Sequence, residues 1–183
     1  MVIGASAGGL FALSTLLMAL PADFPLPVIV VQHRAKTERT LLEEVLAKKC
    51  SIKICQAEEK ESIAGATVYF APPDYHLLIE NNHTFSLSCE ARVHYSRPAI
   101  DVLFETAAAV YRHKLLAIIL TGANEDGAAG MAAISQLGGT TIAQNPLTAQ
   151  FPVMPAAAIA TGCIRHILHL EEIRQFLLLA GEA

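Results

Sequence analysis

The chain has 183 residues and a formal net charge of −4, with no block of basic residues. That length suits one domain, residues 1–183, with a core large enough to need no covalent staples, and the charge pattern excludes an ordinary nucleic-acid-binding surface. Hydrophobic residues make up 53% of the chain, but every apolar run is broken well before the roughly 20 residues of a membrane span, so the excess points to a sheet buried on both faces. In chain order, Val2 to Ala5 is a candidate strand, and Leu10 to Leu20 has helical spacing and stops before Pro21. "PVIVVQH" is a continuous β-branched run of the interior parallel type, and "TERTLLEEVLAKK" an amphipathic helix with Thr37 as its N-cap. "SIKICQA" and "TVYFAPP" follow as strands. "YHLLIE" and "TFSLSC" around Asn81 and Asn82 predict a β-hairpin whose asparagines take the positive φ of the turn.

The helical period resumes in "SRPAIDVLFETAAAVYR", with Pro98 near the first turn. "LLAIILTG" predicts a buried strand, "GAAGMAAISQL" a helix ending at Gly138, and "TTIAQN" a further strand. "MPAAAIATG" and "LEEIRQFLLLAG" close the chain as helices. The sum is an α/β protein, a mostly parallel sheet with helices on both faces and one antiparallel hairpin. Cys50, Cys55, Cys89 and Cys163 form no C-x-x-C pair and read as reduced thiols. Met1 runs almost directly into the first strand without the basic segment of a signal peptide. Both features predict a cytoplasmic protein without membrane insertion.

Ligands of open α/β sheets bind beyond the carboxyl ends of the strands. Three such positions carry Ser6 after the first strand, His33 after the second, and Glu125 with Asp126 after "LAIILTG". A serine, a histidine and a carboxylate are the parts of an acyl-transfer triad. Gly4-Ala5-Ser6-Ala7-Gly8 fits G-x-S-x-G, the sharp strand-to-helix bend that exposes a serine hydroxyl. The competing reading is a dinucleotide loop. That loop needs a glycine where Ser6 stands and an acid at the end of the second strand, where the chain has Gln32 and His33. No G-K-[ST] is present. "NEDG" lacks the alternating acids of a calcium loop, and His166 and His169 read as surface histidines rather than metal ligands. Chemistry alone leaves Glu125 and Asp126 as equal candidates for the acid.

"IGASAGG", "VVQH", "YFAPPDYH", "RPAIDVLF", "ILTGANEDGAAGM", "TIAQNP" and "MPAAAIATG" occur in the order of the catalytic domain of CheB-type protein-glutamate methylesterases, which the chain resembles over essentially its whole length. The resemblance implies a three-layer α/β/α fold with a mostly parallel, Rossmann-like sheet and a hairpin. It implies a cytoplasmic hydrolase of bacterial chemotaxis that releases methanol from methylated glutamates on the cytoplasmic helices of chemoreceptors, with deamidation of receptor glutamines as a second activity. Carried over by position, the nucleophile is Ser6, the base His33 and the acid Asp126, with backbone N–H groups of Ala7 and Ala123 as the oxyanion hole. No metal or organic cofactor is implied. Arg34, Arg39 and Arg97 are candidates to attract acidic flanks of a receptor helix.

The chain departs from the family pattern at Ala7, where threonine is usual, in "QHRAK" beside His33, and in "GANEDG" around Ala123. The family's usual N-terminal receiver domain is not among these residues, so the expectation is activity without phosphorylation, with any control exerted by a separate regulatory protein. Two other classes stay open at this point: a partner-binding module of the same fold with weak turnover, and a nucleotide-binding module.

Overall fold

The computed structural model describes residues 1–34 and 42–182. The expected Thr37 cap, Arg39, and Ala35 and Lys36 of the "QHRAK" segment lie outside the described residues.

Nine strands and six α-helices follow one another among the described residues. They are β1 (Val2–Ala5), α1 (Gly9–Leu17), β2 (Val28–Gln32), α2 (Leu42–Ala47), β3 (Lys53–Gln56), β4 (Thr67–Phe70), β5 (His76–Ile79), β6 (Phe85–Ser88), α3 (Ile100–Tyr111), β7 (Leu116–Ile119), α4 (Ala128–Gln136), β8 (Thr140–Gln144), α5 (Val153–Ala160), β9 (His166–Leu168) and α6 (Leu170–Glu182). Seven strands form one sheet in the order β3-β4-β2-β1-β7-β8-β9, and every pair in it is parallel. The chain winds outward from β1 through β2 and then returns to β7 on the other side of β1. The strand order therefore reverses at β1, the place where an open α/β sheet offers a crevice.

Alternation along the strands explains the apolar excess. Val2, Ile29, Val31, Tyr69, Ala117 and Ile119 face one layer, where they pack with Leu103 and Phe104 of α3, Met131 and Ile134 of α4 and Ala158 of α5. Ile3, Ala5, Val28, Val30, Phe70 and Ile118 face the other, against Leu13, Leu16 and Leu17 of α1, Leu46 of α2 and Leu177 of α6. A period of two that is apolar on both faces produces the unbroken β-branched runs of the sequence. At about 25 cal/mol per Å² of apolar area, each wholly buried leucine contributes roughly 2 kcal/mol to this core. Among the described residues no helix is long and apolar enough to cross a membrane. All four cysteines are free thiols.

The hairpin β5–β6 forms its own two-stranded antiparallel sheet. Its turn differs from the expectation. Positive φ falls at His83 (61°), and not at Asn81 or Asn82. Glu80 N–H bonds Thr84 O and His83 N–H bonds Glu80 O, at 2.9 Å each, so the connection is a three-residue loop whose last residue is left-handed. Asn82 serves instead through its side chain, whose Oδ1 accepts from Thr84 Oγ1 at 2.8 Å. Apart from α2, whose expected start at Thr37 lies outside the described residues, the helices begin and end within a few residues of their expected positions. The largest differences are α1, which stops at Leu17, and α3, which starts at Ile100.

Candidate active site

Parallel pairing sets the site. Ala5 of β1 lies opposite Gln32 of β2, so the next residues, Ser6 and His33, emerge side by side. His33 N–H donates to Ala5 O, and Ser6 N–H donates to Thr121 O at the end of β7, both at 3.0 Å. The bend after Ser6 is tight. Gly9 N–H bonds Ser6 O at 2.8 Å, and Gly8 has φ of 75°, a conformation that an L side chain adopts at a cost. Gly9 meets a second constraint, because a Cβ there would lie 2.0 Å from Gln32 Oε1.

The His33 imidazole bridges the other two expected residues. Its Nδ1 lies 3.2 Å from Ser6 Oγ and its Nε2 lies 2.7 Å from Asp126 Oδ2. The His33 side chain is 10% exposed and that of Asp126 is wholly buried. Asp126 also takes the first N–H groups of α3: Ile100 N–H donates to Oδ2 at 2.7 Å and Asp101 N–H to Oδ1 at 3.0 Å. Burial acts to raise the Asp126 carboxyl, but the bonds from His33, Asp101 and Ile100 together outweigh it and hold the group below the ordinary carboxylate range. An ionised Asp126 only accepts hydrogen bonds, so the His33 proton sits on Nε2 and the Nδ1 lone pair faces Ser6. Glu125, the neighbour that chemistry left open, points away. Its side chain is 72% exposed and lies 3.8 Å from His94 Nδ1.

Ala7 follows Ser6 and lines the cleft above it, and Ala123 follows Gly122 in the loop after β7. Thr121 Oγ1 donates to Ala7 O at 2.9 Å, and Gly122 is pinned by Phe151, its N–H donating to Phe151 O at 3.0 Å. Among the described residues, the N–H groups of Ala7 and Ala123 bond no protein acceptor. Donors without a protein partner are of the kind that suits a developing oxyanion. A cleft of about 630 Å³ opens over Ser6, Ala7 and His33, with Leu10 and Phe11 among its lining residues. Phe11 is 72% exposed. A second cleft of about 270 Å³ meets His33 from the side of Arg92, Tyr95, Ser96 and Arg97.

Two of the arginines expected to attract acidic flanks, Arg34 and Arg97, are already engaged. Arg34 donates to Ala71 O at 2.6 Å and pairs with Glu43 at 2.7 Å. Arg97 pairs with Asp74 at 2.9 Å and donates to the Cys89 and Glu90 carbonyls. Both therefore have structural duties. His166 and His169 stand away from the site, with His166 against the ring of Phe176 at 5.7 Å.

Several residues that shape the site have no role in the sequence-based reading. Gln32 Nε2 donates to both Ser6 O and His33 O at 2.9 Å, tying the two backbones together. Asp101 accepts from Gly130 N–H at 2.7 Å and pairs with His94 at 3.2 Å. Burial pushes its carboxyl up, and the Gly130 and His94 contacts offset only part of that. A carboxylate inside the apolar run "AIDVLF" was the available signal, since a buried acid needs partners. Ser96 carried no such signal.

The CheB methylesterase family model matches residues 1–177. A Leptospira interrogans protein provisionally named a protein-glutamate methylesterase/protein-glutamine glutaminase is 49% identical over 177 residues, covering 97% of this chain and 92% of that protein. A protein-glutamate methylesterase/protein-glutamine glutaminase of Syntrophus aciditrophicus is 36% identical over 93% of this chain, which spans 50% of that longer protein. The crystal structure of the Thermotoga maritima CheB methylesterase catalytic domain superposes with a TM-score of 0.93 at 33% identity, covering 98% of this chain and 96% of that one. Sequence and fold agree over nearly the full length, and the chain belongs to the CheB methylesterase family.

Proposed function

We propose that this chain is a serine esterase that removes methyl groups from methylated glutamate side chains of chemoreceptors, and that it also deamidates glutamine at such positions. The observation that carries the reading is the His33 imidazole held between Ser6 Oγ at 3.2 Å and the buried Asp126 carboxylate at 2.7 Å, at the point where the strand order reverses. The names of the relatives supply the substrate class.

His33 Nδ1 takes the Ser6 proton as the hydroxyl oxygen attacks the γ-carbonyl carbon. Asp126 keeps the other proton on Nε2 and steadies the imidazolium that forms. The N–H groups of Ala7 and Ala123 hold the oxyanion, each contributing about 3 kcal/mol to the transition state. Collapse breaks the C–O bond, and His33 Nδ1–H protonates the departing methoxide as methanol. Water then repeats the attack on the Ser6 ester with His33 as base, freeing the glutamate and the serine. None of these steps calls on a metal or an organic cofactor.

Arg92 at the second cleft, whose side chain is 53% exposed although it bonds Tyr95 O and lies 3.8 Å from Asp74, is more accessible than Arg34 and Arg97 to an acidic flank of a receptor helix. Control by a separate regulatory protein fits a site that is open in this chain. The test is reaction with a fluorophosphonate probe and peptide mapping, beside methanol release from a methylated receptor peptide. Label on Ser6 with methanol release is expected. Label elsewhere, or methanol release that survives loss of Ser6, overturns the reading.

A further inference from the structure

We infer that Ser96 is a specificity-determining residue of this site, which favours amide over ester substrates by accepting a hydrogen bond from the leaving nitrogen. The inference rests on the esterase and amidase reading above. Ser96 Oγ lies 3.4 Å from His33 Nδ1, on the same ring nitrogen that faces Ser6. It also lies 3.4 Å from His94 O. With the imidazole proton on Nε2, Nδ1 has a single lone pair, and the nearer Ser6 hydroxyl fills it. The Ser96 proton is then left to His94 O, and the Ser96 lone pairs face the space beside Nδ1.

That space is where a leaving group must stand, because Nδ1 hands it a proton as it departs. A methoxide oxygen carries no hydrogen and has nothing to offer Ser96 as acceptor. An amide nitrogen leaves with two hydrogens of its own while Nδ1–H supplies the third. One of those two N–H bonds can point at Ser96 Oγ. The balance is complete: Ser6 Oγ bonds the γ-carbon, the C–N bond breaks, the Ser6 proton passes through Nδ1 to nitrogen, and ammonia departs. Water then converts the acyl-enzyme to glutamate. A site that satisfies a substrate N–H discriminates against an analogue that lacks it.

The local backbone is built to hold Ser96 there. Val93 and Ser96 close a turn, with Ser96 N–H to Val93 O at 2.8 Å and Val93 N–H to Ser96 O at 3.2 Å. Its two central residues, His94 and Tyr95, both have positive φ, 47° and 62°. This mirror-image turn normally recruits Asn-Gly, and non-glycine residues adopt it only when their surroundings enforce it. Those surroundings are visible. His94 is clasped by Asp101 at 3.2 Å, and Arg92 Nη1 donates to Tyr95 O at 3.3 Å. The turn forms a wall of the 270 Å³ cleft on the Ser96 side of His33, which gives the leaving molecule room to depart.

The experiment uses the full chain and two peptides of one sequence, bearing glutamine or glutamate γ-methyl ester at the same position, with ammonia and methanol as readouts. Ser96→Ala is expected to lower the ratio of amide to ester turnover about tenfold, the effect of one lost hydrogen bond. Ser96→Thr, which keeps the oxygen, should restore most of the ratio. An unchanged ratio in Ser96→Ala, an equal fall in both activities, or a wild-type chain that releases methanol but no ammonia overturns this inference and leaves the esterase reading standing. Absence of both activities in the wild-type chain overturns the reading beneath it.

Discussion

The turn that carries Ser6 and the loop that carries Asp126 sit at the same edge of the sheet and are held in opposite ways. The Ser6 turn is fixed through its main chain, by Gly9 N–H on Ser6 O, by Ser6 N–H on Thr121 O and by the Gln32 amide. Among the described residues the hydroxyl itself meets only His33. Asp126 is fixed through its side chain, whose two oxygens accept from His33, Ile100 and Asp101. Among the described residues the proposed nucleophile is therefore free of structural duty, while the proposed acid also serves as the N-terminal cap of α3. In the first region chemistry and stability separate, and in the second they are coupled.

Ser6→Ala is the sharpest way to break that contrast, and the largest effect. Turnover should fall on the order of 10⁶-fold, as when a serine nucleophile is removed elsewhere. The melting temperature should hardly move, because no backbone bond of the turn uses the hydroxyl. A large loss of stability would show that the turn does depend on its side chain.

Asp126→Asn should damage both properties. An amide places an NH2 where one carboxylate oxygen stood. Beside His33 it forces the wrong tautomer; beside Asp101 it leaves two donors facing each other. In either orientation the charge that steadies the imidazolium is gone, and the expected loss in turnover is on the order of 10⁴-fold. One unsatisfied buried donor costs about 1–3 kcal/mol of stability. The pH dependence follows from the sign of the shift. Asp126 is held below its unfolded value of about 3.9, so its contribution is present above that pH and is lost as pH falls through the lower folded value. The stability gap between the wild-type and Asp126→Asn chains should narrow as pH falls below about 4. Denaturant midpoints on either side of that pH check it, and a gap that widens in acid would reverse the argument.

The same difference governs what was legible in the sequence. The Ser6 turn is local chemistry: a β-branched strand, small residues and glycines in fixed order, then a helix. Its strand–turn–helix form was legible in "VIGASAGG", whereas the pairing that sets His33 beside it came from the structure. The acid was not local. Nothing in "GANEDG" tells Glu125 from Asp126, because the deciding partners are the N–H groups of Ile100 and Asp101, far away in the chain. Only the family resemblance pointed to Asp126. The cap of α3 was illegible for the same reason, as its N-cap Ala99 has no capping side chain. The hairpin shows a milder failure. Asparagine has a real preference for positive φ, but the three-residue loop needs it only at the third place, which is His83. Ser96 was invisible because its position depends on a turn held by distant residues.

Gly8→Ala tests the main-chain character of the first region at a smaller scale. The substitution puts a Cβ on a residue with φ of 75°, 2.7 Å from Gln150 Oε1. Left-handed backbone costs about 1–2 kcal/mol for an L residue, and Gln150 must also move. At about 2–4 °C per kcal/mol for a chain of this size, the melting temperature should fall by several degrees. An unchanged melting temperature would mean that the turn relaxes freely and that its backbone is not what fixes Ser6.

The smallest expected effect sharpens the second region most. Glu125 and Asp126 are adjacent carboxylates on one loop, with the same charge at neutral pH and opposite surroundings. The Glu125 side chain is 72% exposed, and the His94 imidazole stands 3.8 Å from it. Exposed pairs of that kind contribute between zero and about 1 kcal/mol, because water screens them and ordering two side chains costs entropy. His94 also has a closer carboxylate, Asp101 at 3.2 Å, so the turn that bears Ser96 stays clasped without Glu125. Glu125→Gln should therefore change turnover by less than about twofold and the melting temperature by about a degree. Set beside Asp126→Asn, the ratio of the two effects on turnover should exceed about 10³. Raising the salt concentration should remove what remains of the Glu125 effect and leave the Asp126 effect in place, since the buried pair is shielded from mobile ions. Equal losses in the two variants would show that the loop acts through its net charge, and that the hydrogen bonds on Asp126 do not select the acid.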